Sequence, residues 1–347
     1  MAYTTINKPN TYFNPVLYQS NNSTGQSITG VGFQPDFLWV KDRQAGGAHV
    51  LVDVVRGSTK WLGSANTDAE VTRADQVTSF DSDGFTLGAD SGNFINYQTN
   101  NNVAWNWKAG GTAVSNTDGD ITSSVSANTT NGFSIVSYTG TGANATVGHG
   151  LGEVPKMIIF KNRSSVKSWA IYHTSLGATK FIWLNEAGAV STYTPMFNDT
   201  EPTSSVFSVG TDLASNVSAD NYIAYCFADK AGFSKMGSYT GNGSADGPFV
   251  YLGFKPAFTM LKRTDLGASW YLFDNKRNTY NPLDKRLYPN ANSAEATVAG
   301  GEIDYISNGF KIRRVETDIN ASGGSYIYMA FAEAPLVGTN NVPANAR

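Results

Sequence analysis

An all-β protein made of three tandem β-sandwich repeat domains, jelly-roll or Ig-like and about 100 residues each, is the fold class this sequence predicts. Three observations predict it. One motif, a Gly, a Pro three residues later and an apolar strand closing on a Lys six after the Pro, occurs three times. Turn pairs such as Asp83-Gly84, Asn131-Gly132 and Asn308-Gly309 recur at short intervals. Apolar residues follow the period of strands, and the best helical stretch, 68–77, is short.

Taken in order, residues 1–11 read as a polar arm. The first repeat, 12–111, sets Gly32 and Pro35 ahead of Phe37-Leu38-Trp39-Val40-Lys41 and closes on Val103-Ala104-Trp105-Asn106-Trp107. Phe37 and Trp39 alternate with Leu38 and Val40, so both faces are apolar, as in a strand buried between two layers. Pro35 stands just ahead of that strand, where a missing N–H does no harm. Residues 112–131, rich in Gly, Ser, Thr and Asn, read as a linker. They account for a step of 120 residues from Pro35 to Pro155, against 101 from Pro155 to Pro256.

The second repeat, 132–231, carries Gly152, Pro155 and Met157-Ile158-Ile159-Phe160-Lys161, and closes on Ile223-Ala224-Tyr225-Cys226-Phe227. The third, 232–335, follows without a spacer, so these two are expected to pack closely. It carries Gly253, Pro256 and Phe258-Thr259-Met260-Leu261-Lys262, and closes on Ile327-Tyr328-Met329-Ala330-Phe331. Further landmarks keep register: Tyr18, Tyr138 and Tyr239 lie seventeen residues before each proline, and His49, Trp169 and Trp270 fourteen after it. Each repeat is long enough to bury a core of its own, unlike a solenoid repeat of roughly 20–45 residues. A tail, 336–347, ends the sequence.

Composition narrows the function. Only 15% of the 347 residues are charged, while 41% are hydrophobic and 12% aromatic, which opposes intrinsic disorder. A net charge of −3 offers no basic surplus for nucleic acid or an anionic membrane. No apolar run approaches the roughly 20 residues that span a bilayer. The start of the sequence lacks the basic-then-apolar layout of a signal peptide. Cys226 stands alone, so no intrachain disulfide forms, and His49, His149 and His173 are thin material for a metal site. No cofactor is expected.

Candidate chemical residues are weighed against plainer roles. Lys41, Lys161 and Lys262 suit a ligand contact, but a strand-end lysine reaching solvent or a carboxylate is the simpler reading. Eighteen residues after each proline stand Asp53, His173 and Asp274; the change from Asp to His argues against a retained general acid and for an exposed strand end. Asp81-Ser82-Asp83-Gly84 and Asp118-Gly119-Asp120 resemble pieces of calcium loops without the closing bidentate Glu, which is ordinary turn chemistry. His149 reads as a turn histidine. Trp61, Trp105, Trp107, Trp169, Trp183 and Trp270 are able to stack on sugars, but Trp107, Phe227 and Phe331 share one closing-strand position and read as core. Trp61 and Phe181 share an offset in a variable stretch that reads as a surface loop, and they are the candidates for glycan contact.

The run 116–136, with Asp118-Gly119-Asp120-Ile121 and Asn131-Gly132-Phe133, resembles a β-rich repeat domain of marine tailed-phage structural, tail-fibre-like proteins. Its continuation, Tyr138-Thr139-Gly140, then Ala145 to Gly152 and Pro155 to Ile159, resembles the same domain. The first and third repeats depart from it, having Thr29-Gly30-Val31-Gly32 and Val250-Tyr251-Leu252-Gly253 in place of His149-Gly150-Leu151-Gly152. The resemblance implies a virion protein assembled in the host cytoplasm, without catalytic residues. The expected role is a tail fibre, spike or similar appendage subunit that meets the host surface and its glycans, with the arm or the first repeat docked on the particle. Its expected partners are other virion proteins and further copies of itself, a trimer suiting a fibre. A capsid decoration or head-fibre protein and a glycan-cleaving depolymerase are the alternatives.

Overall fold

The computed structural model describes residues 4–338 together with Pro343 and Asn345. Residues 1–3 of the expected arm and the remaining positions of the expected tail lie outside the described residues. The chain is all-β, with several open sheets and no barrel.

The strands fall into three successive sets. The first holds β1 (Phe13–Gln19), β2 (Gln26–Ile28), β3 (Phe37–Asp42), β4 (Val50–Asp53), β5 (Gly57–Leu62), β6 (Val71–Thr72), β7 (Val77–Asp81), β8 (Gly84–Leu87) and β9 (Asn101–Trp107). The second holds β10 (Val114–Asn116), β11 (Ser123–Asn128), β12 (Phe133–Thr139), β13 (Ala145–Gly148), β14 (Met157–Asn162), β15 (Ala170–His173), β16 (Lys180–Trp183), β17 (Ser191–Thr192), β18 (Val206–Val209) and β19 (Asn221–Phe227). The third holds β20 (Ser234–Thr240), β21 (Phe249–Tyr251), β22 (Phe254–Arg263), β23 (Tyr271–Asp274), β24 (Lys285–Arg286), β25 (Ala296–Thr297), β26 (Ile303–Ile306), β27 (Gly309–Ile312) and β28 (Ser325–Pro335). Two single-turn helices, α1 (Thr194–Phe197) and α2 (Thr317–Asn320), and a 3-10 turn at Pro9–Thr11 are the helical elements among the described residues.

One order of pairing recurs. Each closing strand lies antiparallel between the opening strand and the strand that follows the motif proline: β9 between β1 and β3, β19 between β12 and β14, β28 between β20 and β22. The large sheets continue outward through β4, β15 and β23, and each set adds a small sheet: β2-β8-β7, β13-β18 and β21-β27-β26.

The alternation of apolar residues explains the layers. Along β3, Leu38 and Val40 turn toward the small sheet and pack with Ile28, Phe85 and Leu87, while Phe37 and Trp39 turn the other way. The outward-turned faces of all three large sheets meet in one common core, where Phe37, Trp39 and Trp105 join Met157, Ile159, Tyr225, Phe258, Met260 and Met329. Trp107, Phe227 and Phe331, the shared closing-strand position, touch one another there, with ring centroids 6.3, 5.7 and 5.9 Å apart. The three sets therefore surround a single axis; the expected pairing of second with third does not leave the first apart.

Two sequence expectations are corrected. Residues 68–77 form no helix: β6 and the start of β7 lie there, and Glu70 donates its N–H to the Arg163 carbonyl of the second set, 2.9 Å away. Residues 112–131 are not a free linker, because they hold β10 and β11 and extend the second large sheet from the edge of β12. Val125, opposite Val136, and Ser126, opposite Ile135, are both buried, so the middle of β11 is covered on both faces, and β10 forms the edge of the sheet beyond it. The described part of the arm is docked on its own chain: Thr4 and Ile6 are buried, and Ile6 joins the common core.

Candidate functional site

The side chains that repeat at fixed offsets converge on the three seams between the strand sets. Each seam uses the same positions: the Trp/His and Lys contacts run one way around the axis, and those of the position eighteen after the proline run the other.

Trp169 of the second set donates Nε1–H to the Gly63 carbonyl of the first at 2.9 Å, and Trp270 of the third donates to the Trp183 carbonyl of the second at 2.9 Å. His49 completes the ring from the first set to the third, with Nε2 3.0 Å from the Tyr288 carbonyl and Nδ1 accepting from Trp39 Nε1. The three lysines behave alike. Lys161 Nζ donates to Thr67 O in the first set, Lys262 Nζ to Ala187 O in the second, and Lys41 Nζ to Asn292 O in the third. Each also closes a loop of its own set, through Lys167 O, Ala268 O and Ala45 O. They are fully buried, so the expectation of an ammonium reaching solvent or a carboxylate does not hold. Burial lowers Lys161 to about 7 and Lys41 and Lys262 to about 8.

The position eighteen after the proline is likewise buried rather than an exposed strand end. Asp53 accepts from Tyr225 OH of the second set at 2.8 Å and pairs with Arg56 at 2.5 Å. Asp274 accepts from Trp105 Nε1 of the first set at 3.1 Å and pairs with Arg277 at 2.5 Å. Glu70 and Glu295 extend these pairs, Glu70 to Arg56 and Arg163, Glu295 to Arg277 and Arg43. At the seam of second with third, His173 accepts from Ser175 N at Nδ1 and so donates Nε2–H to the Tyr328 carbonyl, 3.1 Å away. Burial pushes its pKa down to about 4. These are buried, mutually satisfied contacts that fasten sheets; none presents an acid or base to a cleft.

Other candidates are spoken for locally. Asp83 accepts from Gly30 N and Gly32 N, Asp81 from Ser79 and Thr86, and Asp120 from Thr146, so both acidic turns are fastened to neighbouring backbone and hydroxyls. Among the described residues no group of three or more His, Cys, Asp or Glu is placed to hold a metal. His149 is buried, its Nδ1 accepting from Leu151 N and its Nε2 near Thr203 O. Cys226 is buried, and its thiol pKa is pushed up by that burial. The third set adds one polar cluster that the repeat pattern does not announce. Arg286 pairs with the fully buried Glu302 at 2.6 Å and lies over the Tyr271 and Tyr288 rings; burial raises Glu302 to about 7.

Trp61 and Phe181, expected on a surface loop, are only 4% and 5% exposed. Trp61 packs beside Phe94 under the Arg73 guanidinium, and Phe181 packs edge-on against Trp183. They sit within β5 and β16 rather than beyond them, which leaves neither ring a face for a sugar. The half-buried Trp183, at the end of β16, instead lines an open cleft of about 320 Å³ with Val166, Leu213, Lys167 and Asp212.

A family profile whose description is "domain of unknown function" matches residues 8–335, a stretch that takes in all three strand sets. No curated protein matches the chain.

Proposed function

The chain belongs to the DUF7483 family, and we propose that it is a structural subunit of a tailed-phage particle that works by contact rather than catalysis. In this reading the chain is three β-sandwich units, 12–111, 112–231 and 232–335, the former linker being part of the second. The observation that carries it is the closed ring of seams: buried charges, indoles and lysines that elsewhere do chemistry are here consumed in fastening one unit to the next. Such a block keeps its shape under load and offers three related outer faces for repeated contacts. The resemblance of 116–136 to marine tailed-phage structural proteins supplies the setting, a virion appendage of tail-fibre or spike type. A homo-oligomer belongs to this reading, but the seams do not drive it, since their partners lie within one chain.

Host contact is assigned to the Trp183 cleft, where an aromatic face, two exposed aliphatic side chains and polar neighbours border one opening, as sugar recognition requires. Antibody labelling of purified particles tests the reading. Label on the tail is expected; label on the capsid faces alone makes it a decoration protein, and absence from the particle removes the virion reading. Trp183→Ala should slow host adsorption while the protein stays folded, its melting temperature falling less than that of Trp61→Ala. Release of new reducing ends from host polysaccharide by the purified protein would overturn the non-enzymatic part.

A further inference from the structure

Beside each seam the opening strand of one set runs along the large sheet of the set before it, and a groove lies between them. At the seam of first with second this groove is filled by β11. Its Asn128, Ala127 and Ser126 pair with Phe133, Ser134 and Ile135 of β12. Asn128 Nδ2 donates to Ala109 O at 3.2 Å, and Gly110 N donates to Ser126 Oγ at 3.0 Å, which ties the strand to the first set. Val125 and Ala127 lie so close over Gly150 that a Cβ there would stand 3.1 and 3.2 Å from them. At the seam of second with third the short connection takes this place: Ser234 N donates to Lys230 O, and Met236 N donates to Asp229 Oδ1.

At the seam of third with first the corresponding space is an open groove of about 450 Å³. Its walls are the counterparts of the filled one. Phe13, Asn14 and Pro15 of β1 stand where Phe133, Ser134 and Ile135 stand in β12, and Ala332 and Glu333 stand where Lys108 and Ala109 follow β9. Gly30, the counterpart of Gly150, has nothing within 4 Å of where its Cβ would be. Asn275 on the same wall is 5% exposed; its Nδ2 donates to Glu333, and its Oδ1 has no hydrogen-bond partner.

We propose that this groove is a docking site for an extended strand of another protein chain, which adds to the edge of β1 as β11 adds to β12. The occupant has a small residue over Gly30 and, as Ser126 and Asn128 do toward Gly110 and Ala109 in the filled groove, hydroxyl or amide side chains directed at the backbone of 333–334. Pro15 removes one N–H donor from the β1 edge, so any added strand makes one backbone bond fewer than β11 makes with β12 and depends more on its side-chain contacts. The proposal stands on the comparison of the grooves and does not depend on the phage reading.

The probe is a synthetic peptide of residues 122–129, the β11 sequence, titrated calorimetrically into the full chain. Saturable one-to-one binding is expected, with a scrambled peptide and the variant Gly30→Asn each weakening it by about tenfold or more. Asn is chosen because it tolerates the left-handed backbone of Gly30, φ +86°, better than other side chains. Absence of saturable binding at about millimolar peptide, or unchanged binding by a Gly30→Asn protein that melts normally, overturns the proposal. Hydrogen exchange on the unaltered chain gives an answer without a variant: the peptide should slow exchange in β1, and slowing confined to β12 would mean displacement of β11 instead. Concentration-dependent dimerisation that Gly30→Asn abolishes would make a second copy the occupant and equally overturn the assignment to another protein.

Discussion

Asp53, His173 and Asp274 hold one position in three copies of a strand end, and what stands there follows from what faces it across the seam. Tyr225 and Trp105 bring an O–H and an N–H, which a carboxylate accepts, and Arg56 and Arg277 balance the buried charge. Met329 brings no donor, so His173 donates to a backbone carbonyl, Leu176 stands where the arginines stand, and Val190 where the glutamates stand. The positions have changed as a set. Asp274→His alone should therefore cost about 3 kcal/mol by stripping Arg277 of its closest partner, and adding Arg277→Leu should recover part of it; urea midpoints that fall equally in both proteins would refute the coupling. The alternation of Asp with His was visible in the sequence and suggested an exposed end. Its cause was not visible, because the deciding side chain lies 172 residues away, in another repeat. His173 also sets a pH dependence. Its folded pKa of about 4 lies below the ordinary 6.5, so the unfolded chain takes up the proton first, and stability is lost as pH falls from about 6.5 toward 4. The loss amounts to about 3 kcal/mol, and the acid slope of the melting temperature should flatten in His173→Gln; an unchanged slope would assign it to other groups.

At the scale of elements, what the sequence disclosed best were the strands with apolar residues on both faces. The motif strands β3 and β14 and the closing strands β9 and β19 are buried along nearly their whole length, since one face meets a small sheet and the other the common core. Composition misled at 112–131, because Ser and Thr serve an edge strand as readily as a loop when the neighbouring strand supplies the ladder. Hydrogen exchange separates the two: amides of β11 should be protected comparably to those of β12, while 117–120 exchanges fast, and rapid exchange across the whole stretch would restore the linker. Trp61 misled in the other direction. A variable stretch suggested a surface loop, whereas the change between sets lies inside a strand position, where Trp61 and Phe181 pack on apolar neighbours and the third set substitutes the Arg286–Glu302 pair. Trp61→Ala should accordingly behave as a core truncation, costing about 3–5 kcal/mol in chemical denaturation, while Trp183→Ala, which removes a half-buried ring packed on one side against Phe181, lowers the unfolding midpoint less.

For the whole molecule, repeat length alone suggested that each repeat buries a core of its own, and a separate apolar cluster lies beneath the small sheet of each strand set. The common core adds a second demand that no single unit meets. A detached second unit would turn Phe133, Ile135, Met157, Ile159, Tyr225 and Phe227 to water, an apolar face that in the intact chain is closed by the other two large sheets. It would also leave Lys161 without the Thr67 carbonyl and Trp169 without that of Gly63, so polar groups lose their partners along with the apolar ones. The three units should then unfold together: calorimetry of the full chain is expected to show one transition with matching calorimetric and van't Hoff enthalpies. Residues 112–231 expressed alone should bind a hydrophobic dye and lack a sharp melt. Three resolved transitions, or a soluble, sharply melting fragment, would mean that the seams only join finished domains, and the ring would then be an arrangement of parts rather than the unit of folding.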